Sequence, residues 1–197
     1  MFSFLRSSLS RIFRYSGAGE YSRRYAVVNA FDGVVTILGI VLGSTLLGGA
    51  SARSIVAAGI GALIAMGISG ASGTYMAEKA EQERRIKEIE EAMLTSLDKS
   101  VIAEARERAA IISALIDALS AVFAGLLVLS PYFAASLGLL SATFSFYLSV
   151  ELSLALLFGL GLFLGRIAKR NLIVSGLKAL AIGCTTILLI TLLNVFL

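Results

Sequence analysis

The chain has 197 residues, is 57% hydrophobic and carries a formal net charge of +4; its mean hydropathy is +0.89. A soluble domain of this length fills its core with far less apolar content, so the composition specifies an integral membrane protein. With no His and a single Cys184, imidazole metal sites, Ser-His and Cys-His catalytic pairs and intrachain disulfides are all excluded, and an enzyme is not expected.

Residues 1–24 form a basic amphipathic segment. Phe2, Leu5, Leu9, Ile12 and Phe13 recur at helical spacing, with Arg6, Arg11 and Arg14 among them. The pattern suits an interfacial helix on an anionic leaflet. Ser16-Gly17-Ala18-Gly19 reads as a hinge after it.

Five apolar runs follow, each near the roughly 20 residues that cross about 30 Å of hydrocarbon. They cover residues 25–47, 54–77, 109–130, 137–164 and 172–197. The expected fold class is an all-α membrane protein with five transmembrane helices. Span two is expected to run on into a charged helix, because no Pro or Gly falls between Met76 and Arg108. The chain thus divides into the interfacial segment 1–24, spans one and two over 25–77, a Glu-rich helical segment over 78–108, and spans three to five over 109–197. Ser130-Pro131-Tyr132 is the expected turn closing span three.

Lys and Arg set the expected orientation. Five Arg precede span one, seven Lys or Arg follow span two, and three follow span four, with Lys178 just beyond; the opposite side has Arg53 alone. The N-terminus and the Glu-rich segment are therefore expected in the cytoplasm and the C-terminus outside. A prokaryotic cell membrane is expected rather than an organelle membrane. The positive charge serves the membrane flanks, and no basic patch interleaved with aromatics suggests nucleic acid. An odd number of spans cannot split into two equal repeats, so a homodimer is the expected way to build a shared pathway.

Three acids lie within the spans: Asp32, Asp117 and Glu151. Such groups cost several kcal/mol unless paired or hydrated, which makes them functional candidates. Counted from the cytoplasmic ends, Asp32 is about 10 Å deep, Asp117 about 12 Å and Met66 roughly 15 Å. A carboxylate and a thioether at similar depth suit a divalent transition metal over Mg²⁺ or Ca²⁺. Plain packing also explains Met66, and a helix–helix hydrogen bond also explains Asp32. Asp117 and Glu151 read equally as proton carriers or as structural pairs. Gly39 and Gly43 form a small-xxx-small pair in span one, and Gly67, Gly70 and Gly73 line span two.

The charged segment repeats an i,i+3 spacing: Glu78 and Glu81, Glu88 and Glu91, Glu104 and Glu107. The first four fall within roughly 140° of arc on a helix. Two carboxylates so spaced can chelate a divalent cation. A solvated helix laced with i,i+4 ion pairs gives the same pattern, through Glu81 with Arg85, Glu83 with Lys87, Arg84 with Glu88 and Lys87 with Glu91.

These pieces resemble the vacuolar iron transporter family. The resemblance rests on Phe31-Asp32-Gly33, Ala65-Met66-Gly67 with Gly70, Tyr75-Met76-Ala77-Glu78-Lys79-Ala80-Glu81, Leu129-Ser130-Pro131-Tyr132-Phe133, and Ser175-Gly176-Leu177-Lys178 with Ile182-Gly183. It covers most of residues 25–197. It implies a dimeric exchanger moving Fe²⁺ or Mn²⁺ out of the cytosol against protons, with metal as cargo and no resident cofactor. It also implies Asp32 and Met66 as metal ligands, and a looser match of Glu78, Glu81, Glu88, Glu91, Glu104 and Glu107 to the family's metal-collecting domain. The segment between spans two and three is shorter than that domain, and Ala58 stands where the family often has Glu. Both features mark a short or divergent member. The alternative is a non-transporting scaffold whose charged helix binds a partner protein.

Overall fold

A computed structural model describes residues 18–94 and 101–196, with side chains over 23–94 and 107–196. The described residues form five helices, α1 (Ala18–Leu46), α2 (Ala52–Met93), α3 (Val101–Ser136), α4 (Ala142–Ile167) and α5 (Leu172–Phe196). All five are long and apolar enough to cross a membrane, and no strand occurs among the described residues. The protein is an all-α membrane protein with five transmembrane helices, as its apolar runs specify. The interfacial segment expected over 1–24 lies mostly outside the described residues. Ala18 and Gly19 of the expected hinge belong instead to the first turn of α1.

Three helices begin at polar caps. The Ser51 hydroxyl accepts from the Ser54 amide at 3.2 Å. Ser141 does the same for Phe144 at 3.2 Å. Asn171 Oδ1 accepts from the amides of Ile173 and Val174. Each cap answers backbone donors that the first helical turn leaves unpaired, worth about 1 kcal/mol. Ser141 also explains why α4 begins later than the expected residue 137.

Pro131 does not end α3, which continues to Ser136. Proline lacks the N–H that would bond the Leu127 carbonyl. The Ser130 hydroxyl takes that carbonyl instead, at 2.7 Å. The helix stops at Gly138, whose φ of +78° lets the Leu139 amide reach Ala134 and the Gly138 amide reach Ala135, both at 3.0 Å. That is a Schellman closure with glycine at its left-handed position.

The sequence leaves open whether residues 92–108 continue the charged helix or fold back, and the structure separates them into two helices. The long helix α2 ends at Met93, and Leu94 has a φ of +52°. Glu104 and Glu107 therefore belong to α3, not to a continuation of α2 reaching Arg108. The overlooked sign was compositional: Thr95, Ser96, Asp98 and Ser100 are all capping residue types just before Val101.

The chain divides into two compact units. One joins the described parts of Met1–Ala26 to Gly67–Leu119; the other joins Val27–Met66 to Ser120–Leu197. The second holds the apolar core of Val34, Ile37, Val41, Ile55, Leu63, Val128, Leu129, Tyr132 and Leu157. Between lipid tails and leucine there is no solvent to escape, so close packing supplies the cohesion. Small residues provide the approach. A Cβ on Gly33 would strike the Ala121 carbonyl, and one on Gly125 would strike Leu63. In α4, Ser145, Ser149, Ser153, Leu157, Gly161 and Gly165 form a buried stripe every fourth residue. At its far end a Cβ on Gly161 would lie 2.6 Å from Ser175 O on α5.

Candidate functional site

Asp32 sits within α1 on the helix's exposed side, while the next two residues, Gly33 and Val34, are buried. At 100° per residue, Gly39 and Gly43 fall within about 20° of Asp32 around the helix. Gly43 meets nothing within 4 Å, and Gly39 meets only Ile190 Cδ1 at 4.0 Å. Asp32 therefore shares a face of α1 with Gly39 and Gly43, where added bulk would meet little or nothing within the protomer. The span-one glycine that packs inside the protomer is Gly33, not either member of the Gly39/Gly43 pair. Met66 on α2 is half-buried, three residues past the buried Leu63. Both ligand candidates flank the place where α1, α2 and α3 pack through Gly33, Leu63 and Gly125.

The first unit holds a separate polar ladder. Gly70, Thr74, Glu78 and Gln82 follow one another at four-residue spacing along α2. Thr74, Glu78 and Gln82 are 9%, 6% and 4% exposed. The Thr74 hydroxyl donates to Asp117 Oδ2 at 2.6 Å, and Asp117 is 2% exposed. Gly70 leaves room for that carboxylate, since a Cβ there would lie 3.1 Å from Oδ2. Gln82 Nε2 donates to Glu78 Oε2 at 3.4 Å, and the Tyr25 hydroxyl hydrogen-bonds the same carboxylate. Burying these groups is tolerable because they satisfy one another. Sequence reasoning followed the i,i+3 Glu pairs and missed Thr74 and Gln82. The signal was present as polar residues recurring every fourth position, in register with Ser113 and Asp117 on α3.

Two cation–aromatic pairs lie in this unit. The Arg24 guanidinium is 5.5 Å from the Tyr25 ring centroid, and Lys79 Nζ is 5.9 Å from that of Tyr75. Such pairs suit the water–lipid boundary. Beyond Lys79, α2 carries its charges at the surface. Glu81 Oε1 accepts from Arg85 Nε at 2.9 Å. Arg84 Nε lies 3.8 Å from Glu81 Oε2 and 3.3 Å from Glu88 Oε1. The Arg85 hydrogen bond, with the nearby Arg84 charge, holds the Glu81 carboxyl below its usual range. Glu83, Lys87 and Glu91 form no ion pair among the described residues.

The acidic candidates are thus spread out. Glu78 is buried and hydrogen-bonded, Glu81 is engaged by two guanidinium groups, and Glu88, Glu91 and Glu107 are exposed. The Glu104 side chain lies outside the described residues. Among the described residues, no three Asp, Glu, His or Cys side chains converge on one point. Glu151 is exposed on α4, midway between the buried Ser149 and Ser153 and so on the opposite side of the helix.

Comparison with known proteins places the chain beside a family model and a curated relative. The model of the VIT family matches residues 23–96 and 87–193, two stretches that overlap within the charged segment. An uncharacterised protein of the archaeon Methanocaldococcus jannaschii is 37% identical over 166 residues, covering 83% of each chain. The family match runs through Asp32, Met66, the charged extension of α2 and all five membrane helices. The chain belongs to the VIT family, a family of membrane metal-ion transporters.

Proposed function

We propose that the protein is a homodimeric secondary transporter that moves Fe²⁺ or Mn²⁺ out of the cytosol in exchange for protons. The observation that carries this reading is the position of Asp32, a carboxylate on the open face of an apolar helix. Facing lipid, that group would be strongly unfavourable. Facing a second copy across a two-fold axis, it brings two carboxylates and two Met66 thioethers toward one pathway. Two carboxylates neutralise one divalent cation. The thioethers favour borderline transition ions over Mg²⁺. The small Gly39 and Gly43 on the same face support close approach of that second copy.

In this reading the N-terminus and the charged extension of α2 lie in the cytoplasm, and the C-terminus lies outside. The exposed carboxylates of Glu88, Glu91 and Glu107, with the arginine-paired Glu81, raise the local concentration of cation at the entrance. Glu78, held by Tyr25 and Gln82, orders the exit of α2 from the membrane. Asp117 and Glu151 are the proton carriers, Asp117 from a buried hydrogen bond and Glu151 from an exposed position.

The test is metal flux into proteoliposomes across a panel of divalent ions with a set pH gradient. Fe²⁺ or Mn²⁺ uptake that acidifies the opposite compartment is the expected result. Absence of flux for every transition ion would overturn the proposal. The scaffold alternative predicts that Fe²⁺, Mn²⁺ and Mg²⁺ leave thermal stability equally unchanged; selective stabilisation by the transition ions argues against it.

A further inference from the structure

The segment joining α4 to α5 borders an open cleft of about 490 Å³, walled by Phe31, Leu164, Val174 and Ile182 and bearing the two cations Arg170 and Lys178. No acid lines it. Neither cationic side chain forms an ion pair or hydrogen bond with another described residue. Val174, Lys178 and Ile182 follow at helical spacing on one face of α5. Lys178 lies about 9 Å along the helix from Leu172, within the apolar run. Its stem is long enough to carry the ammonium toward Arg170 at the helix start. An unpaired cation at that depth needs an anion or a route to water.

Asn171 and Ser175 add two neutral polar groups, and the remaining lining is apolar; the neighbouring Ile173 and Leu177 are 64% and 54% exposed. A soluble anion would meet the two cations but leave this floor uncovered. A molecule with an anionic head and a hydrocarbon tail answers both parts. We propose that this cleft binds an anionic phospholipid, with its phosphate between Arg170 and Lys178 and an acyl chain along Leu164, Val174 and Ile182. Basic pockets between transmembrane helices at a leaflet boundary recognise headgroups in this way. The site uses none of the residues assigned to metal or protons, so it stands whether or not the transport reading holds.

The test uses the purified full chain in detergent. Native mass spectrometry and thermal unfolding are followed while short-chain phosphatidylglycerol, phosphatidylcholine or inorganic phosphate is titrated. Phosphatidylglycerol is expected to be retained and to stabilise in preference to the other two. R170Q and K178Q are each expected to weaken its apparent affinity about fivefold. R53Q, remote in sequence from the cleft, is expected to leave it unchanged. The charge-preserving pair R170K with K178R is expected to keep the preference and guards against a folding defect in the Gln variants. An unchanged preference in the R170Q/K178Q double variant would overturn the site. Equal stabilisation by inorganic phosphate, lost in the same variants, would overturn the lipid as occupant.

Discussion

The Thr74 hydroxyl donates to Asp117 Oδ2 at 2.6 Å, joining α2 to α3 across 43 residues of sequence. Both groups are almost fully buried, so water cannot replace the bond. T74V keeps the shape and removes the donor, and is expected to lower unfolding stability by about 1–2 kcal/mol. T74S keeps a hydroxyl and is expected to fall close to wild type. Thermal unfolding of both in the same detergent checks the difference. Equal loss in the two variants would assign the effect to the methyl group's packing, not to the hydrogen bond.

Asp32 makes the opposite kind of prediction. Its side chain is exposed in the protomer, so D32A is expected to change thermal stability by no more than about 0.5 kcal/mol. Metal flux in proteoliposomes is expected to be abolished, with the dimer still intact by cross-linking. Wild-type flux in that variant would remove Asp32 from the pathway.

The apolar runs made the five helices legible, because length and hydropathy alone decide whether a segment spans. The helix ends were less so. Pro131 read as a terminator because its missing N–H is visible in sequence, whereas the Ser130 hydroxyl that repairs the lost bond depends on side-chain orientation. The break after Met93 has no Gly to announce it; Leu94 takes the left-handed conformation instead. Asp32, Asp117 and Glu151 stood out as charges in apolar runs. What they face did not, because only packing distinguishes the buried Asp117 from the exposed Asp32 and Glu151. In sequence Glu78 reads as one more acid of the charged helix; its hydrogen bond from Tyr25, 53 residues away, is set by packing.

Two glycines of α1 separate packing inside the protomer from packing between copies. A Cβ at Gly33 would strike the Ala121 backbone carbonyl, which cannot move aside without shifting α3. G33A is expected to destabilise the protomer by about 1–3 kcal/mol. A Cβ at Gly43 meets nothing within 4 Å, so G43A is expected to leave the protomer's unfolding unchanged. A bulky G43L is then expected to weaken self-association. Unfolding in detergent together with mass photometry reads the two effects separately. Undisturbed association in G43L would remove this face from the dimer interface.

Lys169 closes α4 in a left-handed conformation, with φ at +51°. The Arg170 amide bonds the Gly165 carbonyl at 2.9 Å, and the Lys169 amide bonds the Arg166 carbonyl at 3.3 Å. This is the closure that Gly138 makes after α3, but here a side chain bears the steric cost. K169G is expected to raise stability by about 1 kcal/mol. A lower midpoint of unfolding in K169G would show that the lysine contributes something the backbone geometry does not reveal.

The Glu81 carboxylate is claimed by arginine before any cation reaches it. Arg85 donates to it at 2.9 Å and Arg84 lies at 3.8 Å, so its carboxyl titrates below the usual range. A depressed folded value means that the pairing is complete above the ordinary carboxylate pKa and is lost only as pH falls through the depressed one. At neutral pH a divalent ion must therefore displace guanidinium, not a proton. R85Q is expected to tighten Mn²⁺ binding at the charged extension about two- to fivefold, the range set by an exposed ion pair, and E81Q to weaken it. Calorimetric titration at pH 7 reads both. An unchanged affinity in the two variants would leave Glu81 with the structural role of an i,i+4 pair and place cation capture on the exposed Glu88, Glu91 and Glu107.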